Sequence, residues 1–179
     1  RLGADYLGFI FAEGSPRRVT VRDVQTMRAG LKGTAQCVGV FTTATVPEIL
    51  RTVRACGLDV VQLHRRATAE DVAAIRDAGL AVWTLAGGAA GDAVLFDSSH
   101  GDGETALRRG AFKAVLAGGL SSENLAAALA QRPDVIDVSG SLESARGVKS
   151  IAKLRAFFAA LARAATAGTD CRASRPPAS

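Results

Sequence analysis

Aromatic residues are only 5% of the 179 residues, lysine is confined to Lys32, Lys113, Lys149 and Lys153, and cysteine occurs three times. So few aromatics leave little with which to stack the bases of a nucleic acid. Positive charge, 22 Lys+Arg against 17 Asp+Glu, is scattered, and its longest runs are pairs such as Arg17-Arg18, Arg65-Arg66 and Arg108-Arg109. Nucleic-acid binders gather charge on one stripe or helix, so no such partner is expected. The pI near 9.6 supports only a general attraction for anions, phosphate esters included. Cys37, Cys56 and Cys171 are an odd set with no C-x-x-C pair. That argues against a disulfide scaffold or a metal site and for a reducing, cytoplasmic setting. No apolar run approaches the roughly 18–20 residues of a membrane span, so no membrane partner is expected. Arg1-Leu-Gly-Ala-Asp opens into folded sequence, not a signal peptide.

What is present is a chain 48% hydrophobic with a mean hydropathy of +0.17, enough for one core. Short apolar runs alternate with helix-period stretches. Strands are expected at Tyr6–Phe11, Gln36–Phe41, Val60–Leu63, Ala81–Leu85, Ala93–Phe96, Ala114–Leu116 and Val135–Val138. Their near-continuous hydrophobicity suits parallel strands covered on both faces. Helices are expected at Val21–Ala29, Val46–Ala55, Ala69–Ala78, Ser122–Gln131 and Val148–Ala165. Thr45, Thr68 and Ser121 stand as caps, and Gly30, Gly57 and Gly79 as left-handed terminators.

This βα alternation makes the fold class α/β with a parallel sheet. A doubly wound nucleotide fold needs a Gly-rich turn after its first strand, where this chain has Ala-Glu-Gly-Ser-Pro-Arg-Arg. Small glycine motifs follow the late strands instead, which is the habit of the (β/α)8 TIM barrel. The expectation is an incomplete (β/α)8 barrel over residues 1–163, with its first strand missing, and a disordered tail over 164–179. One helix is also lost, because only Ala86–Asp92 separate two strands that should be parallel neighbours. Parallel crossovers normally take a dozen or more residues. Seven extended residues reach roughly 24 Å, enough to return but not to form a helix. That side of the sheet should then be exposed.

In a barrel, chemistry sits at the C-terminal strand ends and the loops after them. Asp97 directly follows Ala-Val-Leu-Phe. It reads either as a loop Asp capping a turn or as a partly desolvated general acid. Gly118 and Gly119 ahead of a helix start could cradle a phosphate through bare backbone N–H groups, and Ser139, Gly140 and Ser141 repeat the chemistry one strand later. Arg17 could meet a carboxylate or an aromatic ring, or be a solvated surface residue. His64, after Gln62-Leu63, is a ligand contact or a structural histidine.

Taken together, these motifs resemble the phosphoribosylanthranilate isomerases, (β/α)8 enzymes of tryptophan biosynthesis. The resemblance runs over Leu2–Phe158. It rests on Gly3-Ala-Asp-Tyr-Leu-Gly-Phe-Ile-Phe11 with Ser15-Pro-Arg17, Val38-Gly-Val-Phe41 and Asp59-Val-Val-Gln-Leu-His64. Leu95-Phe-Asp97-Ser98, Leu116-Ala-Gly-Gly-Leu120 with Glu123-Asn124, and Asp137-Val-Ser139 with Glu143-Ser and Gly147-Val-Lys149 complete it. It implies an Amadori rearrangement of N-(5-phosphoribosyl)anthranilate without metal or cofactor. Asp97 would be the general acid, Arg17 would face the anthranilate, and Gln62 and His64 would contact substrate. Phosphate would lie on Gly118, Gly119, Ser139, Gly140 and Ser141.

The sequence also departs from the family pattern. The family's base is a Cys in a Lys-x-Cys-Gly segment that these residues do not contain, and Arg65-Arg66 replace a Gly and an acidic residue. The Gly-Gly-Thr-Gly loop reads Gly101-Asp-Gly-Glu-Thr105, and Ser139-Gly-Ser-Leu-Glu143 moves a glycine by one place. Two readings stand: an isomerase whose first strand lies outside these residues, or an inactive homologue that binds a sugar phosphate or a protein partner. A monomer or homodimer acting on a small phosphorylated substrate is expected.

Overall fold

The apolar runs form seven strands of one parallel sheet. A computed structural model describes residues 2–98 and 107–173, with side chains through Ala165. The strands are β1 (Tyr6–Ile10), β2 (Gln36–Phe41), β3 (Val60–Leu63), β4 (Ala81–Leu85), β5 (Ala93–Asp97), β6 (Lys113–Ala117) and β7 (Val135–Ile136). They pair in strict chain order, every neighbour parallel. A doubly wound sheet reverses its order at a switch point; this one never does. It is a barrel wall, open between β1 and β7 among the described residues.

The helices are α1 (Val21–Ala29), α2 (Val46–Cys56), α3 (Ala69–Asp77), α4 (Leu125–Ala130) and α5 (Ile151–Ala173). Thr20, Thr45 and Thr68 head the first three with capping boxes, in which Asp23, Glu48 and Asp71 reach back to the cap. Pleat alternation divides the sheet into two faces. Val61, Leu63 and Val82 belong to the outer core, together with Ile49 of α2 and Ile75 of α3. Val38, Val60, Trp83, Leu95, Val115 and Ala117 form the inner layer, which Tyr6 joins edge-on to Trp83.

Several boundaries differ from expectation. Asn124 accepts a hydrogen bond from the Ser121 N–H and donates one to the Gly119 carbonyl, so residues 121–124 are a turn. α4 therefore begins at Leu125, not Ser122, and Ser121 caps nothing. Val148–Lys149 is strand β9, paired antiparallel with β8 (Glu143–Ala145), so α5 begins three residues later than expected. α5 continues past Arg163 to Ala173; residues 174–179 lie outside the described region. Gly57 and Gly79 have the positive φ of left-handed terminators, whereas Gly30, at φ −90°, does not.

No helix joins β4 to β5, as expected, but the expected exposure is corrected. Val82 and Thr84 are 0% exposed, and Val94 and Phe96 are nearly as buried. The seven-residue link lies flat against the sheet in the helix's place. Ala89 N–H bonds to the Ala67 carbonyl, Gly91 N–H to Thr84 Oγ1, and Asp92 accepts from Val82 N–H. Leu107, Phe112, Leu120 and Ala128 cover Phe96 from the other side. Gly91 permits the close approach, since a Cβ there would stand 2.2 Å from the Val82 carbonyl oxygen. Gly91→Ala should lift the link and destabilise the fold by about 1–3 kcal/mol, the usual cost of overpacking. Urea denaturation would read this as a lower midpoint at unchanged slope.

Candidate active site

Because alternate residues of a strand share a face, Gln62, Asp97 and Ala117 point into the concave side, and His64 and Asp137 continue that row past the ends of β3 and β7. Gln62 is buried, and its Nε2 lies 3.4 Å from His64 Nδ1. With Gln62 donating there, the neutral imidazole keeps its proton on Nε2, the nitrogen 3.7 Å from Asp97 Oδ2. Asp97 is only 10% exposed at its side chain. Sequence position and structure thus bring three expected residues, Gln62, His64 and Asp97, to one rim.

Gly118 lies against Asp97 from the next strand. Its φ is +90°, and a Cβ there would stand 2.6 Å from Asp97 Oδ1, from the Ser98 backbone nitrogen and from Ser98 Oγ. Ser98 Oγ in turn donates to the Gly118 carbonyl at 3.1 Å. Gly119, at φ +61°, faces open space. Gly140 opens a short 3-10 turn, Gly140–Leu142, and Ser141 Oγ donates to the Leu120 carbonyl, which draws the two glycine turns together. The backbone N–H groups of Gly119, Gly140 and Ser141 donate to no other described residue.

Asp137 stands in the Asp137-Val-Ser139 motif, which by itself assigned it no role. It is exposed to solvent at the open mouth, although protein surrounds it on its other sides within the concavity. Desolvation pushes its carboxyl above the ordinary range, the Asp97 charge adds to this, and Lys149 opposes it. Two carboxyl groups in such a field resist being ionised together. The proton of this pair is therefore favoured on Asp137.

Arg17 sits elsewhere than a free guanidinium would. It makes a forked pair with Glu143, Nε to Oε1 at 2.6 Å and NH2 to Oε2 at 2.9 Å. Lys149 Nζ reaches the same carboxylate at 2.9 Å, the Ser139 carbonyl at 2.9 Å and Ser139 Oγ at 3.0 Å. These residues, with Gly8, Ile10, Val19 and Gly147, line a recess of about 120 Å³, the size for one substituent of a substrate. A larger recess of about 370 Å³ beside Phe11 and Phe41 contains none of the expected site residues. Glu143 and Lys149 were also missed as site residues, although both lie in the motif stretch Asp137–Lys149. Glu143 pairs with Arg17 across 126 residues, which leaves no local signal, and Lys149 enters the site through Glu143.

Among the described residues, no group of three His, Cys, Asp or Glu could hold a metal ion. Cys37 and Cys56 are buried, and desolvation raises both thiols. Arg65, one of the two substitutions after His64, is drawn into local structure, its guanidinium pairing with Asp71 at 2.7 and 2.9 Å. The Gly101–Thr105 stretch lies outside the described residues.

Known proteins resemble this chain in both sequence and structure. A family model described as N-(5'phosphoribosyl)anthranilate (PRA) isomerase matches residues 1–160. An N-(5'-phosphoribosyl)anthranilate isomerase of Rubrobacter xylanophilus is 36% identical, covering 88% of this chain and 88% of its own length. One from Pseudomonas fluorescens is 34% identical over 89% and 88%. The crystal structure of phosphoribosyl anthranilate isomerase from Thermus thermophilus superposes with a TM-score of 0.78 at 35% identity, over 90% of each chain. A further structure of this isomerase, in complex with reduced 1-(o-carboxyphenylamino)-1-deoxyribulose 5-phosphate, gives a TM-score of 0.73 at 27% identity, over 88% and 87%.

The Arg65–Asp71 pair makes a pH prediction. Arg65, the main cause, holds the Asp71 carboxyl at about 2 against an ordinary 3.8. A depressed carboxyl stabilises the fold above the unfolded value and loses that contribution as pH falls through the folded one. Arg65→Ala should therefore cost about 1–2 kcal/mol at pH 7, and the difference should shrink between pH 4 and 2. Thermal melts of both proteins across that range would measure it.

Proposed function

This chain belongs to the N-(5'-phosphoribosyl)anthranilate isomerase family, and from that premise we propose that its concave rim carries out an Amadori rearrangement in tryptophan biosynthesis. The observation that carries the reading is the Asp97 carboxyl, held at the end of β5 between His64 and Gly118. A general acid must stand at the reacting atom with a proton to give. Asp97 is nearly buried, faces the His64 nitrogen and shares its field with Asp137, a carboxyl that favours protonation.

The chemistry follows from that placement. Asp97 gives its proton to the ribose ring oxygen, the C1′–O bond breaks, and the anilino nitrogen's lone pair forms the C1′=N bond. A base then removes the C2′ proton. The C–H electrons form C1′=C2′, the C=N pair returns to nitrogen, and the enol relaxes to the 2-ketone. The family's base, the Cys of Lys-x-Cys-Gly, has no counterpart in residues 1–179. Phosphate is assigned to the N–H groups of Gly119, Gly140 and Ser141, with Gly118 and Ser139 shaping the cradle. Arg17 is assigned to the anthranilate end, and Gln62 fixes the His64 ring. No described helix is long and apolar enough to cross a membrane. A small phosphorylated substrate suits a cytoplasmic monomer or homodimer.

The alternative, a non-catalytic sugar-phosphate binder, rests on Arg65-Arg66 and the lost helix. Both are absorbed without obstructing the rim: Arg65 pairs with Asp71, and the short link covers the sheet. The isomerase reading is therefore preferred.

Complementation of a tryptophan auxotroph lacking this isomerase tests it, using the chain as given and with a Lys-x-Cys-Gly strand added ahead of Leu2. Growth with the extended form is expected. Asp97→Asn should lower kcat about 10²–10⁴-fold and abolish that growth. No growth from a soluble, folded extended form would leave the sugar-phosphate binder as the better reading.

The two glycines should separate chemistry from stability. Gly118→Ala, which presses on Asp97 and the Ser98 backbone, should lower kcat of the extended form by about 10²-fold, the cost of misplacing a reacting group by an ångström. Gly119→Ala should cost about 1–2 kcal/mol of stability for its left-handed backbone and raise KM by crowding the proposed phosphate cradle, with kcat falling less than in Gly118→Ala. Steady-state kinetics with denaturation curves would check both.

A further inference from the structure

Glu143 is a heavily engaged carboxylate at the rim. Its side chain is 5% exposed and accepts from Arg17 Nε, Arg17 NH2, Lys149 Nζ and the Gly147 N–H, the last at 3.1 Å. Its backbone carbonyl takes Lys153 Nζ at 2.7 Å. The Arg17 fork, followed by Lys149 and Gly147, holds the carboxyl well below the usual range, so it stays ionised. An ionised carboxylate with both oxygens filled has no proton to give and little capacity left to accept one. It is poorly suited to catalysis and well suited to holding cations.

We propose that Glu143 is a positioning residue that fixes Arg17 and Lys149 at the rim and so sets the affinity for the anionic substrate without touching it. Arg17 stands on the link after β1 and Lys149 on β9, beyond β7, at opposite ends of the sheet. No ladder hydrogen bond sets the distance between them; the Glu143 fork does. A forked guanidinium–carboxylate pair also fixes the plane of the arginine, which a single point contact does not. The cluster keeps one net positive charge over the recess. A Cβ built on Gly140 would lie 3.3 Å from Arg17 NH2, so the outer edge of the guanidinium rests on the proposed phosphate turn. Lys149 ties the same carboxylate to Ser139. Both ends of the substrate thus depend on one acid.

This proposal rests on the isomerase reading, and the test separates the two. Binding of reduced 1-(o-carboxyphenylamino)-1-deoxyribulose 5-phosphate to the full chain is measured by calorimetry for the parent, Glu143→Gln, Arg17→Ala and the double variant. Binding needs no catalytic base. Glu143→Gln should weaken binding about 10-fold with Arg17 present and by less than about twofold in the Arg17→Ala background, the coupling expected of contacting residues. Without any ligand, the Arg17 Nε–H should give a slowly exchanging NMR signal, assigned by its loss in Arg17→Ala. Should Glu143→Gln not fold, Arg17→Lys keeps the charge without the fork and should lose as much affinity as Arg17→Ala. Independent losses at the two positions, unchanged binding by Glu143→Gln, full affinity in Arg17→Lys or a fast-exchanging Arg17 would each overturn the positioning role. In those cases the isomerase reading stands. A parent chain that binds no analogue while its Arg17 signal is protected overturns the isomerase reading first, and with it the role claimed for Glu143.

Discussion

Parallel pairing in chain order requires every strand to finish on the same rim, and everything functional here depends on that constraint. Val60 pairs with Ala81, Trp83 with Ala93, and Ala93 with Lys113. The pleat then decides which side chains enter the concavity. His64 and Asp97 are 33 residues apart in sequence, yet two intervening ladders bring their polar atoms within 3.7 Å. A slip of one residue in β5 would turn Asp97 outward and Phe96 into the mouth. Buried Phe96 and Val94 on the outer face oppose that slip. The apolar core of the sheet thus holds the acid's direction.

Much of this was legible from residues alone because strand polarity and hydrophobic continuity are local properties. The bounds of β2, β3 and β4 match the sequence expectation residue for residue. Errors gathered where side chains override local preference. Asn124 holds a turn where a helix start was expected, and Glu143 draws in Lys149, whose strand takes the place of a helical turn. For the site, Gln62, His64 and Asp97 were legible because they end strands. Glu143 was given no role, since its importance comes from Arg17 far along the chain, and Lys149 matters only through Glu143. A carboxylate's neighbours across 126 residues are set by the fold and by nothing near it in sequence.

The lost helix shows how little chain is needed to cover a sheet. A helix shields strands with side chains, whereas the link of residues 86–92 shields them with its own backbone. Each backbone group brought close to the sheet needs a partner, because an unpaired buried polar group is costly. Thr84 Oγ1 and the carbonyls of Ala67 and Val82 supply those partners, while the Asp92 carboxylate accepts from the Val82 N–H of the strand. Thr84 is itself 0% exposed, so its hydroxyl would be a liability without Gly91 above it. The polar residue and the glycine each make the other tolerable.

The seam between β1 and β7 poses the opposite problem. Within the sheet, distances are fixed by ladder hydrogen bonds; across the seam no such bond exists among the described residues. There the molecule uses ionic contacts, and the Arg17–Glu143–Lys149 cluster spans from the β1 loop to the β8–β9 hairpin. A carboxylate buried without partners would be strongly destabilising. Glu143 therefore demands the full set of donors, and meeting that demand brings the loop and hairpin together. Pro16 shares in this contact, since a Cβ on Gly147 would meet its carbonyl oxygen at 2.8 Å. The cost of burying one charge thus becomes the force that shapes the recess, on the side of the rim where backbone pairing provides none.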